Sequence, residues 1–141
     1  MTSGISIEIV ELDEHYLGSE LRAWNGRFSA TTFLYLKGED FIVFSDHISG
    51  FPSMVPDRRE FSLGHRRGEG WGGGYCRMVF LTVAAVGASK VEVEFEDDLR
   101  YSESVVTLLV PTEAAAVDRF VGQLRQVGRL GSRKATMSIS E

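Results

Sequence analysis

The sequence predicts an α+β fold: a mainly antiparallel sheet of six or seven strands with two helices packed on one face. Three observations support this prediction. A unit made of an apolar strand, a short polar break and a segment with helical apolar spacing occurs twice, over residues 31–50 and 105–127. Residues 90–97 alternate between apolar and charged side chains, as a strand with one buried face does. The length of 141 residues fits a single domain, which is predicted over residues 1–130.

The N-terminal quarter is predicted to form three strands. The apolar alternation that begins at Ile5 indicates a first strand, and a turn over residues 13–15 follows it. A second strand is predicted over residues 17–24. Asn25-Gly26 is a strong hairpin signal, and the β-branched and aromatic residues of 27–36 indicate a third strand after it.

The segment after the third strand allows two interpretations. Residues 37–40 either form a hairpin turn before a strand at 41–44, or lead into a helix over 41–50. The helix is favoured because apolar residues recur on one helical face, at Phe41, Phe44 and Ile48. Acidic residues in the first turn and Gly50 after the last suit the two ends of a helix.

The middle of the chain is predicted to hold a short strand at 59–63, a glycine-rich loop at 65–74 and a long strand at 75–86. A tight turn then leads to the alternating strand at 90–97. In that strand three apolar residues are expected to face inward, at Val91, Val93 and Phe95. Three carboxylates are expected to face solvent, at Glu92, Glu94 and Glu96.

The C-terminal part is predicted to hold a last core strand at 104–110 and a helix that Gly128 and Gly131 end. Thr112 is the expected N-cap, because its hydroxyl can accept a bond from the first turn of the helix. The apolar stripe of this helix is Val117, Phe120, Val121, Leu124 and Val127. Residues 131–141 are predicted to form a mobile polar tail.

Composition narrows the class of protein. The net charge of −5 argues against a general nucleic-acid binder, which needs a basic footprint. Cys76 is the single cysteine, so the chain has neither an internal disulfide nor a zinc site built on cysteines. No basic and apolar leader occurs at the N-terminus, and no apolar run approaches a membrane span. These features predict a cytoplasmic protein with no membrane partner.

The glycine-rich loop satisfies the pattern G-x-G-x-x-G over residues 68–73. A dinucleotide site requires a helix directly after this pattern, and the predicted continuation is a strand. The favoured interpretation is a long hairpin connection, and no cofactor is predicted. Arg66, Arg67 and Trp71 are nevertheless residue types that dominate binding energy, so they are the predicted partner-binding residues. The alternative is that the arginines only balance nearby carboxylates.

The sequence predicts no catalytic and no metal-ligating residue among the remaining candidates. His15, His47 and His65 are not spaced as a ligand pair. Cys76 lies at the start of a predicted strand, where a small core residue is the usual role. The acidic row that starts at Glu92 and ends at Asp98 lacks a calcium-loop pattern, and it is either a solvated face or a docking surface for a basic partner.

The order of elements resembles that of small bacterial proteins of unknown function, and it is similar to the pattern of immunity proteins of polymorphic-toxin systems. The matching segments are the end of the first helix (48–51), the strand around 74–83 and the closing helix around 120–124. The resemblance implies a non-enzymatic binding domain, acidic as many toxin-neutralising proteins are. It identifies no site residue.

The predicted function is therefore a non-catalytic cytoplasmic module that binds a protein partner and is immunity-like. The competing interpretation is a small-molecule-binding protein or an enzyme with a pocket between sheet and helices. A homo-oligomeric subunit is a third alternative. A deep pocket lined by Arg66, Trp71 and a histidine would favour the second class, and a flat or acidic surface with no pocket would favour the first.

Overall fold

A computed structural model describes residues 1–66, 73–82, 89–97 and 104–140. These residues form eight strands and two helices. The strands are β1 (Thr2–Leu12), β2 (Leu17–Trp24), β3 (Ser29–Leu36), β4 (Asp57–Gly64), β5 (Tyr75–Thr82), β6 (Ser89–Glu96), β7 (Val105–Thr112) and β8 (Lys134–Ser140). The helices are α1 (Gly38–Ile48) and α2 (Ala114–Gly128).

The strands form two antiparallel sheets of four strands each, with the orders β3-β2-β1-β8 and β4-β5-β6-β7. The α+β class, the two helices and the antiparallel pairing are confirmed, but the prediction of one sheet with six or seven strands is wrong. Apolar alternation shows that a segment has one buried face, and it does not encode which strands become neighbours. The helices contact each other, and α1 also contacts β4 while α2 contacts β8.

The two halves of the chain repeat one arrangement and exchange one strand. β1, β2 and β3 form a meander followed by α1 and β4, and β5, β6 and β7 form a second meander followed by α2 and β8. Each meander takes its fourth strand from the other half, because β8 pairs with β1 and β4 pairs with β5. The strands β3 and β7 and the helices α1 and α2 all start 76 residues apart. The unit that occurs twice in the sequence thus belongs to an arrangement of elements that occurs twice in the fold.

One hydrophobic core joins the two sheets and the two helices. Phe44 of α1 lies at its centre, with ring centroids 4.9 Å from Phe61, 6.3 Å from Phe80 and 5.8 Å from Phe120. These contacts link α1 to β4, β5 and α2. Burial of such rings is the main favourable contribution to a fold of this size.

The first helix is confirmed over the favoured segment, with Phe41, Phe44 and Ile48 buried and Gly50 at a φ of +75° just beyond its end. The acidic first turn is also present, because Glu39 and Asp40 both lie there. The alternative hairpin at residues 37–44 is therefore wrong.

Two predictions for the C-terminal part are wrong. Residues 134–140 form β8 rather than a mobile polar tail, and Ala135 and Met137 are buried in the core. The period-two apolar spacing of Ala135, Met137 and Ile139 is the signal for this strand, and the small and polar residues between them obscure it. Thr112 belongs to the end of β7, and the N-cap of α2 is Glu113, whose carbonyl oxygen accepts the bond from the Val117 N–H at 3.1 Å.

Parts of three other predictions lie outside the described residues. These are the end of the strand predicted at 75–86, the turn after it, and the loop before the strand predicted at 104–110. In the described part of the chain, no helix combines the length and the apolar character needed to cross a membrane.

Candidate functional site

Arg66 is the one predicted partner-binding residue that the structure describes, because Arg67 and Trp71 lie outside the described residues. The Arg66 guanidinium lies 4.5 Å from the centroid of the Tyr75 ring. Its Nη1 donates a hydrogen bond to Glu96 Oε1 at 3.0 Å, and its Nη2 lies 3.9 Å from Glu94 Oε1. Tyr75, Glu96 and Glu94 raise the pKa of Arg66. Arg66 thus neutralises carboxylates of its own sheet, and its binding of a partner stays a prediction.

The acidic row of β6 has the predicted orientation. Val91, Val93 and Phe95 are buried, which confirms the inward face. Glu92, Glu94 and Glu96 face outward and are half-buried rather than fully exposed. Arg66 covers two of these carboxylates, so the row offers a basic partner less free negative charge than its composition suggests.

The titratable side chains that the sequence analysis considered for chemistry are dispersed. Cys76 is fully buried, and burial followed by the charge of Glu94 raises the pKa of its thiol well above the usual value, so the reactive thiolate is disfavoured. His15 lies in the β1–β2 turn, His47 on α1 and His65 after β4. Among the described residues, no group of three or more His, Cys, Asp or Glu side chains is placed to hold a metal ion.

A pocket of about 290 Å³ lies where the β1–β2 turn, the start of α1 and the residue after β4 meet. We call it the corner pocket, and its lining consists of Tyr16, Tyr35, Leu36, Lys37, Glu39, Asp40 and His65. The rings of Tyr16 and Tyr35 meet edge to face, with centroids 4.7 Å apart. Phe33 supports Tyr35 from the other side at 5.1 Å. The pocket therefore has a preformed aromatic wall beside ionisable side chains.

Strand register and two local hydrogen bonds place these side chains. Leu17 pairs with Leu36, so Tyr16 and Lys37 adjoin the last pair of the β2–β3 ladder. The Asp13 N–H donates to the Tyr16 carbonyl oxygen at 3.1 Å and closes the β1–β2 turn. The Lys37 N–H donates to Asp40 Oδ2 at 2.7 Å, which directs the chain from β3 into α1.

Two glycines allow the chain before β5 to approach β3. The Gly74 N–H donates to the Phe33 carbonyl oxygen at 2.7 Å, and a Cβ at Gly74 would collide with Thr32 Oγ1. Gly73 has a φ of +84°, and a Cβ there would lie 2.8 Å from a ring carbon of Tyr35. At these two positions only glycine leaves enough space for the neighbouring atoms of β3, so these glycines do not by themselves indicate a binding role for the loop.

Replacement of Gly74 by alanine is expected to lower the free energy of unfolding by about 1–3 kcal/mol, because the new methyl group overlaps the Thr32 hydroxyl of β3 and the Glu96 carbonyl oxygen of β6. Gly122→Ala on α2 is the matched control, since nothing lies within 4 Å of a Cβ there and alanine favours the helix. Urea denaturation followed by circular dichroism measures both. Equal stability of the two variants would show that the backbones do not meet at Gly74.

Carboxylates line and border the corner pocket. We call Glu39 and Asp40, which line the pocket, together with Glu11 and Asp13, which lie near Tyr16, the acidic rim. Within the described ranges none of these carboxylates forms an ion pair, whereas Asp46, Asp57 and Glu60 each pair with arginine. The charge of Asp13, followed by burial, Tyr35 and Glu11, raises the pKa of Tyr16.

The internal repeat provides a comparison for this corner. Two helices begin in equivalent places, directly after β3 and directly after β7. Tyr35, Leu36, Lys37, Glu39 and Asp40 of the first corner correspond to Pro111, Thr112, Glu113, Ala115 and Ala116 of the second. The second corner thus has the same order of strand and helix, without the tyrosine and with a single carboxylate at these five positions. The fold does not require the aromatic and acidic set of the corner pocket.

Comparison of the chain with protein-family models, with curated proteins and with solved structures gives no significant match. No relative therefore assigns a role to the corner pocket.

Sequence reasoning did not identify the corner pocket. Its lining comes from three segments that are far apart in sequence, around Tyr16, Lys37 and His65. Glu39 and Asp40 were interpreted only as residues that favour a helix N-terminus. The available signal was the density of carboxylates at 11–14 and 39–40.

Proposed function

We propose that the protein is a non-catalytic binding module that docks a basic protein partner at the acidic rim of the corner pocket. One observation carries the proposal: four carboxylates that form no ion pair within the described residues lie in or beside a tyrosine-lined pocket, and the residues that correspond to 35–40 in the second half lack this aromatic and acidic set. Unpaired surface carboxylates of one sign attract and orient an oppositely charged partner. The proposal includes the cytoplasmic location and the immunity-like role, in which an acidic module covers a basic toxin.

The proposal predicts that neutralisation of the rim weakens partner binding about tenfold or more. The test variant is Glu11→Gln, Asp13→Asn, Glu39→Gln, which removes three charges and keeps the side-chain shapes. The loss of each long-range attraction slows association with the partner. A total loss of about 1.4 kcal/mol of binding free energy corresponds to a tenfold change in affinity. Affinity capture from the native cell extract identifies the basic partner, and calorimetry with the purified partner measures the dissociation constant.

The matched control removes the same charge elsewhere, with Glu92→Gln, Glu113→Gln, Asp118→Asn. We expect the control variant to bind the partner with an affinity within about twofold of that of the unmodified protein. We also expect the control variant and the rim variant to have the same melting temperature. Binding of the unmodified protein should also weaken steeply between about 0.05 and 0.5 M salt, because exposed charges are screened. Equal losses in the two triple variants, or no capture of a basic protein at low salt, would contradict the proposal.

The pocket itself favours a second candidate function, the binding of a small molecule. Its side chains include the hydroxyls of two tyrosines, the Lys37 ammonium and the His65 imidazole, all polar groups that can orient a ligand. Its volume lies near the lower limit of about 300–1,000 Å³ that is usual for drug-sized ligands. A small ligand that raises the melting temperature at micromolar concentration, with no effect on the Tyr16→Ala variant, would favour this function over protein docking.

A further inference from the structure

We infer that β8 is an exchangeable arm: two copies of this chain form a dimer in which the β8 strand of each copy pairs with β1 of the other. The connection between α2 and β8, residues 129–133, is the hinge of this exchange. Three features support the inference. They are the backbone conformation of Leu130, the exposure of the whole hinge, and the contacts that β8 makes with β1 and the core.

Leu130 holds a strained backbone conformation in the hinge. Its φ of +60° makes it the only residue other than glycine with a positive φ among those that the structure describes. The left-handed conformation brings the Cβ of a residue too close to the following carbonyl oxygen. The Leu130 side chain is 64% exposed, so its burial offsets little of this cost. An extended hinge removes the strain in both copies.

The first half of the chain shows that the fold accepts glycine at this position. The helices α1 and α2 end alike, with Ser49 and Arg129 as their C-caps and a left-handed residue directly after each cap. In the first half that residue is Gly50, with a φ of +75° and no atom within 4 Å of a Cβ built there. In the second half it is Leu130, although Gly131 follows directly. The strain therefore belongs to the second helix end and is not a requirement of the fold.

The two connections from helix to last strand also differ in how they are held. In the first half, residues 49–56 are fixed by the buried Phe51 and by Arg59, whose guanidinium donates to the Ser49 carbonyl oxygen at 2.7 Å. In the second half, all residues of 129–133 are exposed. The hinge contributes no buried side chain, so its extension uncovers no part of the core. The backbone bonds that it loses lie at an exposed helix end, where water replaces them.

The β8 strand finds the same contacts in a second copy that it has in its own. Its ladder with β1 runs from the Thr2–Ser140 pair to the Glu8–Lys134 pair, and its inner face joins the common core. Exchange of an identical element keeps all of these contacts. The balance between monomer and dimer then depends on the hinge and on the protein concentration. The strain released at Leu130 in both copies shifts this balance toward the dimer.

The test is refolding of the full-length chain from urea at about 10 µM and at about 0.5 mM, because the formation of a dimer depends on concentration. Size-exclusion chromatography with light scattering measures the mass of each species. We expect a monomer at the lower concentration and a dimer at the higher one that dissociates slowly on dilution, since β8 must leave β1 before it can return. A chain that stays monomeric at the higher concentration would overturn the inference.

Paired cysteines identify the exchanged strand. Glu8 and Lys134 lie opposite each other in a non-hydrogen-bonded pair, whose Cα separation suits a disulfide. A Glu8→Cys chain and a Lys134→Cys chain, refolded together and oxidised, are expected to give a cross-linked dimer. Glu20→Cys with Lys134→Cys is the matched control, because Glu20 lies on β2, which pairs with β1 and β3 and not with β8. Equal cross-linking in the two mixtures would mean that the copies associate without exchange, which would contradict the inference.

Substitution of Leu130 tests the hinge. Leu130→Gly should lower the dimerisation constant by about tenfold, because glycine adopts the left-handed conformation without strain. Leu130→Ala is the control, since it removes the exposed side chain and keeps the strain, and it should change the constant by no more than about twofold. A dimer that weakens equally in both variants forms through the exposed leucine side chains, and a dimer that neither variant weakens does not depend on the hinge. Either result would show the inference to be wrong.

Discussion

Deletion of residues 133–141 is expected to abolish cooperative folding. These residues include β8, which pairs with β1 from the Thr2–Ser140 pair to the Glu8–Lys134 pair and buries Ala135 and Met137. The truncated chain would lose this ladder, expose the edge of β1 and uncover one side of α2, which contacts β8. The combined loss is comparable to the whole stability of a small domain, about 5–15 kcal/mol. Far-ultraviolet circular dichroism and a thermal melt of the truncated chain measure the effect.

A point substitution keeps this prediction testable when the truncated chain is insoluble. Met137→Ala should lower the free energy of unfolding by about 2–5 kcal/mol, because the side chain is buried in the common core. Ser138→Ala, at an exposed position of the same strand, should change it by no more than about 0.5 kcal/mol. A truncated chain that melts like the full-length protein would show that β8 does not contribute to the fold.

Replacement of Phe120 by alanine is expected to lower the free energy of unfolding by about 3–5 kcal/mol. Phe120 is completely buried on α2, and its ring meets the Phe44 ring edge to face at 5.8 Å. Its removal leaves a cavity between the two helices at the centre of the core, where the surrounding rings are held by β4 and β5. Urea denaturation monitored by circular dichroism gives the free energy directly.

Val43→Ala is the control for this substitution, because Val43 lies on α1 and is 54% exposed. We expect a change within about 0.5 kcal/mol for the control. A loss below about 1 kcal/mol for Phe120→Ala would mean that the two helices are not packed through the Phe44–Phe120 contact.

Residue types alone did not identify the residues of the candidate site. Arg66, Arg67 and Trp71 were selected from the sequence because arginine and tryptophan are frequent in binding surfaces. The structure places Arg66 on Tyr75 and Glu96, two residues of its own sheet, and describes neither Arg67 nor Trp71. Instead, the neighbouring His65 joins Tyr16 and Glu39 in the corner pocket. The residue types of this loop led to a predicted binding role that stays a prediction, and they did not identify the residues that meet in the corner pocket.

The sequence by itself determined the local elements, because each depends on a short-range period. The spacing of Phe41, Phe44 and Ile48 specified α1, the stripe through Phe120 specified α2, and the alternation around Val93 specified the inward face of β6. Only the tertiary structure decided that β4 and β8 cross to the opposite halves, since the backbone bonds of a strand accept any partner of suitable register. It also formed the corner pocket, because three segments distant in the chain converge there only after both sheets have assembled.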